Sequence, residues 1–361
     1  MIWEMDPFLD MSKVVNALIN FGAKVRAFTL VYQPIFVKVK VHFNASDFRS
    51  DAPVVLTVGT FDGVHIGHRA VIDLLTKRAR EMGGESVLLT FQPHPRTVLH
   101  PEQHQLKLLN TIEERKTLLN EAGLDHLVIH PFTEEFSRKT PLEYVRDLFA
   151  EGIRPQKVII GYDHRFGRNR EGSFESLVNL GKVYGFSVEE LPAQTIEETK
   201  VSSTKVREAL QAGHVAKART WLNAPYPLLG RVQRGEQLGR KLGYPTANLS
   251  IEQPLKLVPA SGVYAVFAKI EGEDDWNPAM VNIGTRPTVS TGSMQQHIEV
   301  HLLQGGRQCY NELIDLRFMR RMRDEIEFNG LKPLMQQLQQ DEKDVRSYLE
   351  TMKIPLQPSH P

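Results

Sequence analysis

The sequence predicts an α/β domain with a doubly wound parallel sheet, followed by an antiparallel β-barrel domain with a closing helix. Between residues 54 and 211, short apolar runs alternate with helical stretches, as expected for strands buried on both faces. After Trp221, short strands of alternating polarity are broken by Gly and Pro, which is typical of small barrels. A length of 361 residues accommodates both domains.

The strands and the closing helix are predicted from hydrophobic periodicity. In the first domain, the apolar runs at 54–58, 86–91, 127–129 and 157–160 predict strands. In the second domain, we predict strands at 262–268, 280–283 and 297–302 and a helix over 332–349. The segments 259–264, 282–288 and 323–328 are interpreted as loops or capped turns.

The chain divides into four predicted segments. Residues 37–43 alternate Val and Phe with polar residues, so the folded body should begin there. The stretch before it is an appended helix, a disordered tail or the product of an early start codon. We predict an N-terminal extension over 1–36, an α/β domain over 37–215, a barrel domain over 216–352 and a tail over 353–361.

The composition excludes several classes of protein. With 44 Lys+Arg and 43 Asp+Glu, the net charge of +1 provides no general field for a nucleic-acid backbone. Cys309 is the only cysteine, which excludes an internal disulfide and a cysteine-rich metal centre. The acidic N-terminus does not resemble a signal peptide, and no apolar stretch approaches the ~20 residues of a membrane span. We expect a cytoplasmic protein, monomeric or weakly oligomeric, without nucleic-acid or membrane partners.

The loop after the first predicted strand contains a candidate phosphate site. It reads Gly-Thr-Phe-Asp-Gly-Val-His-Ile-Gly-His over 59–68, and a helix follows. Glycines let the backbone approach a phosphate, and free amides at a helix start attract anions. His65 and His68 share one face of that first turn. Alone, His-x-Gly-His also fits two surface histidines, but the strand before and the helix after favour phosphate binding.

A second basic element follows at residues 201–207, Val-Ser-Ser-Thr-Lys-Val-Arg. Ser202 or Ser203 is a suitable helix N-cap, and Arg207 lies about one turn later. Its planar guanidinium could reach the same phosphates. The alternative is an ordinary capped helix with a solvated arginine.

Two polar groups on predicted barrel strands form another candidate site. In an extended chain Thr246 and Asn248 point to the same side, and their oxygens suit Mg²⁺. Alternation likewise places His297, Glu299 and His301 on one face of their strand. A metal triad formed by these three residues is a rival interpretation.

Four ordered motifs, at 59–68, 91–95, 161–167 and 201–207, resemble the bacterial bifunctional riboflavin kinase/FMN adenylyltransferase (FAD synthetase) family. The Pro-Thr-Ala-Asn stretch at 245–248 resembles its riboflavin kinase signature, and the match runs from about residue 54 to 349. This implies a Rossmann-like nucleotidyltransferase domain and a riboflavin kinase barrel. It also implies ATP-dependent phosphorylation of riboflavin to FMN and adenylyl transfer to FMN, with ATP, Mg²⁺ and the two flavins as ligands.

The resemblance also implies roles for individual residues. In the first domain, the ATP contacts would be Gly59, Phe61, Gly63, His65, Gly67, His68, Ser203, Thr204 and Arg207. The flavin neighbours there would be Phe91, Pro93, His94, Asp163, Phe166 and Gly167. In the barrel, Gly239 and Arg240 would contact the nucleotide, and Thr246 and Asn248 would bind the metal. Glu299 would be the general base, and Arg323 would contact the flavin.

Three positions depart from the family pattern: Thr60, where Asn is frequent, His164, where Phe is frequent, and the loop 304–306, where an Asp-Phe pair is usual. Two other functions fit parts of the sequence. One is a nucleotidyltransferase acting on another phosphorylated small molecule, against which the barrel argues. The other is a non-catalytic flavin-binding regulator, against which the intact histidine pair and Glu299 argue.

Overall fold

The computed structural model describes residues 39–99, 106–161, 163–191, 201–235, 239, 243–287, 294–305 and 307–352. The predicted extension, the predicted tail and Arg240 lie outside these ranges. No helix within the described ranges combines the length and the apolarity required to cross a bilayer.

The first domain contains the predicted parallel sheet. Strands β1 to β6 are Lys40–His42, Val54–Val58, Glu85–Gln92, His126–Pro131, Lys157–Ile160 and Ser187–Glu190, in the order β1-β4-β3-β2-β5-β6. The helices that precede the barrel are α1 Ile66–Glu81, α2 Pro95–Leu99, α3 Ile112–Glu121, α4 Glu134–Ser137, α5 Pro141–Val145, α6 Phe174–Tyr184, α7 Ser203–Gln211 and α8 Val215–Leu222. The strand order reverses beside β2, and ligands of such sheets bind at that switch point.

The second domain is a closed antiparallel barrel with the order β10-β11-β8-β7-β12-β9. Its strands are β7 Tyr226–Gln233, β8 Ala247–Ser250, β9 Gly262–Ile270, β10 Asn277–Pro287, β11 Met294–Leu302 and β12 Leu313–Arg323, followed by helix α9 Leu331–Glu350. The three predicted strands and the predicted helix are confirmed. The loop interpretation of the three segments is wrong for residues 262–264, 282–287 and 323, because they belong to β9, β10 and β12.

The two faces of the barrel wall have different partners. Ile298 and Val300 of β11 belong to the cluster that fills the barrel interior. Val263 of β9 lies on the opposite, outer face, where it packs with Val345 and Leu349 of α9. Polar residues in register with Val263 therefore lie on the outer wall, beside the closing helix.

Candidate active sites

The loop between β2 and α1 has an unusual backbone. Phe61 and Val64 have φ of 46° and 39°, and Gly63 has φ of 93°. A Cβ on Gly63 would lie 2.6 Å from Leu109 Cδ1, so a side chain is excluded by space as well as by conformation. Non-glycine residues with positive φ concentrate at functional loops. Gly59 begins this loop, and Gly67 lies in the first turn of α1.

The two histidines stack against each other with their ring centroids 3.8 Å apart, and Phe61 stacks on His68 at 4.5 Å. His65 caps α1, because its Nδ1 accepts the amide hydrogen of His68 at 3.3 Å. Burial lowers the pKa of His65 to about 4 and that of His68 well below its ordinary value. Both rings are therefore neutral near pH 7. Neutral His65 carries its proton on Nε2, which can donate to a ligand.

Asp62, to which the sequence analysis gave no role, organises this site. It is fully buried, and its carboxylate accepts the amide hydrogens of Leu109 and Asn110 at 2.9 and 3.1 Å. Arg207 donates to Asp62 Oδ2 at 3.0 Å, and the Ser203 hydroxyl donates to the Asp62 carbonyl at 2.8 Å. The N-terminus of α7 is thus bound to the loop between β2 and α1. Of the two serines considered as its cap, Ser202 is the N-cap.

Arg115 on α3 was also missed. Its side chain is 5 % exposed, and its Nε has no hydrogen-bond partner among the residues described. Burial lowers its pKa. Its charge, with that of Arg207, helps to lower the pKa of His94 to about 4, although burial of His94 is the larger cause. A buried guanidinium with an unsatisfied Nε is costly unless a ligand accepts its hydrogen bond, so Arg115, near Arg207, is suited to bind an anion.

The predicted flavin neighbours lie at the end of β3 and in the segments after β3 and β5, at the carboxyl edge of the sheet. Phe91 and Phe166 are largely buried and both contact Tyr144, with ring centroids 6.4 and 5.3 Å away. Pro93 follows a cis peptide bond, and Asp163 is exposed. Gly167 has φ of 71°, and a Cβ there would lie 2.9 Å from the backbone nitrogen of Pro141. Thr204 is exposed at the start of α7.

In the barrel, one row of paired residues crosses every strand. Directly paired residues place their side chains on the same face of a sheet. The row consists of Gln233, Asn248, Glu299, Asn282, Val263 and Arg323, on β7, β8, β11, β10, β9 and β12. Because Val263 lies under α9, the polar members share the outer wall. All six line a cavity of about 1000 Å³.

Two further predicted residues, Thr246 and Gly239, line the same cavity. His301 anchors the segment just before β8, which carries Thr246, because its Nδ1 donates to the Pro245 carbonyl at 2.9 Å. Within the described ranges, no group of three His, Cys, Asp and Glu side chains is placed to hold a metal ion, so the triad of His297, Glu299 and His301 is not formed.

Arg323 is held by Asp341 of α9, a partner that the sequence analysis missed. The Arg323 Nε and Nη2 atoms donate to the carboxylate at 2.8 and 2.6 Å, and Asp341 is 3 % exposed. Gln337 donates to the same carboxylate. This bidentate pair ties the last strand to the closing helix at one end of the cavity.

Comparisons with known proteins match both halves of the described chain. A family model described as FAD synthetase matches residues 47–205, and one described as riboflavin kinase matches residues 222–349. Bifunctional riboflavin kinase/FMN adenylyltransferases from Listeria monocytogenes, Escherichia coli K12 and Bacillus subtilis are 33 %, 34 % and 33 % identical. The alignments cover 86 %, 83 % and 84 % of this chain and 98 %, 94 % and 94 % of those proteins.

A similar solved structure is described as a macrolide-efflux protein from Streptococcus pneumoniae, with a TM-score of 0.76 and 29 % identity over 86 % of this chain and 99 % of that one. Its fold supports the two-domain architecture. The chain belongs to the bifunctional riboflavin kinase/FMN adenylyltransferase family, and it makes FMN from riboflavin and FAD from FMN.

Proposed function

We propose that the two reactions occur at separate sites, adenylyl transfer at the carboxyl edge of the parallel sheet and phosphorylation on the outer wall of the barrel. The observation that carries this proposal is the row of polar residues around Glu299, which lies on different elements from the histidine pair. The division of the chain at residues 215 and 216 stays a prediction.

At the first site, the substrate supplies the nucleophile. The FMN phosphate, with a second pKa of ~6, is largely a dianion at neutral pH. One of its oxygens forms a bond to the α-phosphorus of ATP, and the bond from that phosphorus to the β-phosphate oxygen breaks to release pyrophosphate. His65 and His68 donate hydrogen bonds to the phosphates, while Arg207 and Arg115 supply positive charge. Ser203, Thr204 and the loop glycines position the nucleotide.

The flavin binds beside these phosphate-binding residues. Phe91, Pro93 and His94 border its pocket at the end of β3, and Asp163, Phe166 and Gly167 form the opposite wall after β5. Since Phe91 and Phe166 already pack in the core, they shape the pocket from behind. Asp163 is the exposed member of the group that can meet a polar edge of the ligand.

At the second site, an alcohol must lose a proton. Glu299 accepts the proton of the ribityl 5′-hydroxyl as that oxygen attacks the γ-phosphorus of ATP, and ADP leaves. Thr246 and Asn248 offer one hydroxyl and one amide oxygen beside Glu299, a donor set that fits Mg²⁺. Bound there, Mg²⁺ would neutralise charge on the ATP phosphates. Gly239 and Arg240 contact the nucleotide, and Arg323, fixed by Asp341, contacts the flavin.

We further propose that the substrates are the small molecules riboflavin, FMN and ATP, without a nucleic-acid or membrane partner, and that the protein is cytoplasmic and monomeric or weakly oligomeric. The near-neutral charge supports the first part. Gel filtration with light scattering measures the oligomeric state.

Separate substitutions test the two sites. Each variant is given FMN with ATP to measure adenylylation, and riboflavin with ATP to measure phosphorylation as the sum of FMN and FAD. His68→Ala should lower adenylylation ~100-fold or more and leave phosphorylation within about twofold, and Glu299→Ala should do the reverse. His214→Ala, at an exposed position, is the matched control. Loss of both activities in either folded variant would contradict separate sites.

A further inference from the structure

A segment of the first domain pairs with the barrel. The Leu108 amide donates to the Leu255 carbonyl at 2.6 Å, and the Leu257 amide donates to the Leu108 carbonyl at 2.9 Å. The next side chain, Leu109, is fully buried in the cluster that fills the barrel interior. Residues 108 and 109 are therefore fixed by the barrel although they belong to the adenylyltransferase domain.

Lys256 of the barrel holds the same segment through its side chain, which is 2 % exposed. Its Nζ donates to the Leu109 carbonyl at 2.8 Å and to Glu114 Oε2 at 2.6 Å, and it lies 4.6 Å from the centre of the Tyr226 ring. The same Glu114 oxygen accepts the Thr111 amide hydrogen in the capping box that begins α3. A buried ammonium is tolerated only with well-placed partners, so the position of the segment is closely specified.

The opposite edge of this segment holds the adenylyltransferase site. The amides of Leu109 and Asn110 donate to Asp62, and Asp62 binds Arg207. Lys256 is thus connected to Arg207 through one peptide group: Lys256 donates to the Leu109 carbonyl, the Asn110 amide of the same peptide group donates to Asp62, and Arg207 donates to Asp62.

We propose that Lys256, a residue of the kinase barrel, is a positioning residue for adenylyl transfer in the other domain. It fixes residues 109 and 110, whose amides orient the Asp62 carboxylate and through it the Arg207 guanidinium. In this proposal Lys256 acts through residues 109 and 110 and not by contact with nucleotide or flavin. If Lys256 only stabilised the contact between the domains, its loss would instead lower both activities. Phosphorylation, which takes place in the barrel that contains Lys256, would then be affected first.

The test uses the full chain with Lys256→Met, which keeps the apolar stem and removes the donor. With FMN and ATP as substrates, we expect kcat for adenylylation to fall ~10-fold or more, because misplacement by ~1 Å is enough to slow an oriented reaction. Phosphorylation of riboflavin should stay within about twofold of the unmodified protein. An unchanged adenylylation rate, or a parallel fall of both activities, would overturn the proposal.

Lys256→Met has two effects: the Leu109 carbonyl loses its donor, and the Glu114 carboxylate loses its cation. A double variant separates these two effects. Adding Glu114→Gln removes that charge and keeps a side chain suited to the capping box. Adenylylation should remain slow in the double variant, because the Leu109 carbonyl still lacks its donor. Full recovery would assign the defect to the stranded carboxylate and overturn the proposal. If Lys256→Met alone does not fold, the double variant provides the same comparison of the two activities.

Lys107→Met is the matched control. Lys107 donates to the Pro254 carbonyl at 2.6 Å across the same contact, but its bond is exposed and does not join the chain to Asp62. Adenylylation by this variant should equal that of the unmodified protein. A selective loss of adenylylation in this control would show that any weakening of the domain contact has that effect, and the special role of Lys256 would be lost.

Discussion

Gly235 offers a sharp test of the proposed magnesium ligand. A Cβ at this position would lie 2.1 Å from Asn248 Nδ2 and 2.6 Å from Cγ. In Gly235→Ala the amide must therefore withdraw until the separation reaches an ordinary contact of about 3.4 Å. Asn248 can do so by changing rotamer, at a cost of about 0.5–1.5 kcal/mol in the free energy of unfolding.

The functional effect should be much larger than the effect on stability. Because Asn248 is paired with Glu299 across β8 and β11, a shift of ~1 Å separates the proposed metal ligand from the general base, which is expected to lower the rate ~100-fold. Steady-state phosphorylation of riboflavin measures this loss, and adenylylation of FMN, at the other site, should be unchanged.

Gly272→Ala is a control for backbone strain. Gly272 has φ of 79° in the turn between β9 and β10, and no atom lies within 4 Å of an added Cβ. This variant should lose about 1–2 kcal/mol of stability and keep its kinase activity. Phosphorylation by Gly235→Ala at more than half of the normal rate would refute the reasoning that the Asn248 amide must occupy its present position.

Three further predictions concern charges. Asp62→Asn should lower adenylylation ~10-fold or more at constant kinase activity, measured in the two assays, because Arg207 loses a charge-assisted hydrogen bond. Asp341→Asn should raise the KM for riboflavin, because Arg323 is no longer held by a carboxylate, and should lower the denaturation midpoint. The pKa of His65 is lowered to about 4, so below pH 6.5 the unfolded chain binds more protons than the folded chain. Stability must therefore decrease as the pH decreases, by about 2 kcal/mol at pH 5 for this residue.

Matched variants serve as controls for these predictions. Asp51→Asn changes an exposed carboxylate in the same domain, and a fall in adenylylation equal to that of Asp62→Asn would count against the orienting role of Asp62. In urea titrations from pH 7 to 5, His65→Asn, which retains a helix cap, should flatten the pH dependence of stability. The exposed His214→Asn should not, and equal slopes for the three proteins would contradict neutral burial of His65.

The sequence predicted the elements of the fold because their signals are local. Continuous apolar runs marked the parallel strands, and alternation on β11 placed Glu299 opposite the buried Ile298 and Val300. The period of alternation gives the face of a residue but not its partner on the next strand. The pairing of Glu299 with Asn282 and Asn248 depends on closure of the barrel, and no local pattern contains it.

The missed residues share a physical reason. Asp62 accepts bonds from residues 47, 48 and 145 positions away, so its role exists only in the folded chain. Arg115, on a helix between charged residues, resembles a solvated cation until tertiary packing buries it. Asp341 likewise resembles a surface residue of an amphipathic helix, and only its approach to Arg323 reveals its contact.

The row from Gln233 to Arg323 restricts how this barrel can vary. Side chains alternate sides along each strand, so a one-residue insertion within β8 or β11 would turn Asn248 or Glu299 into the apolar interior and expose Leu249 or Ile298. Because the barrel is closed, it has no free edge strand at which such a register shift could be accommodated. Insertions or deletions in the hairpin turns are therefore compatible with catalysis. The same changes a few residues away, within a strand, would abolish it.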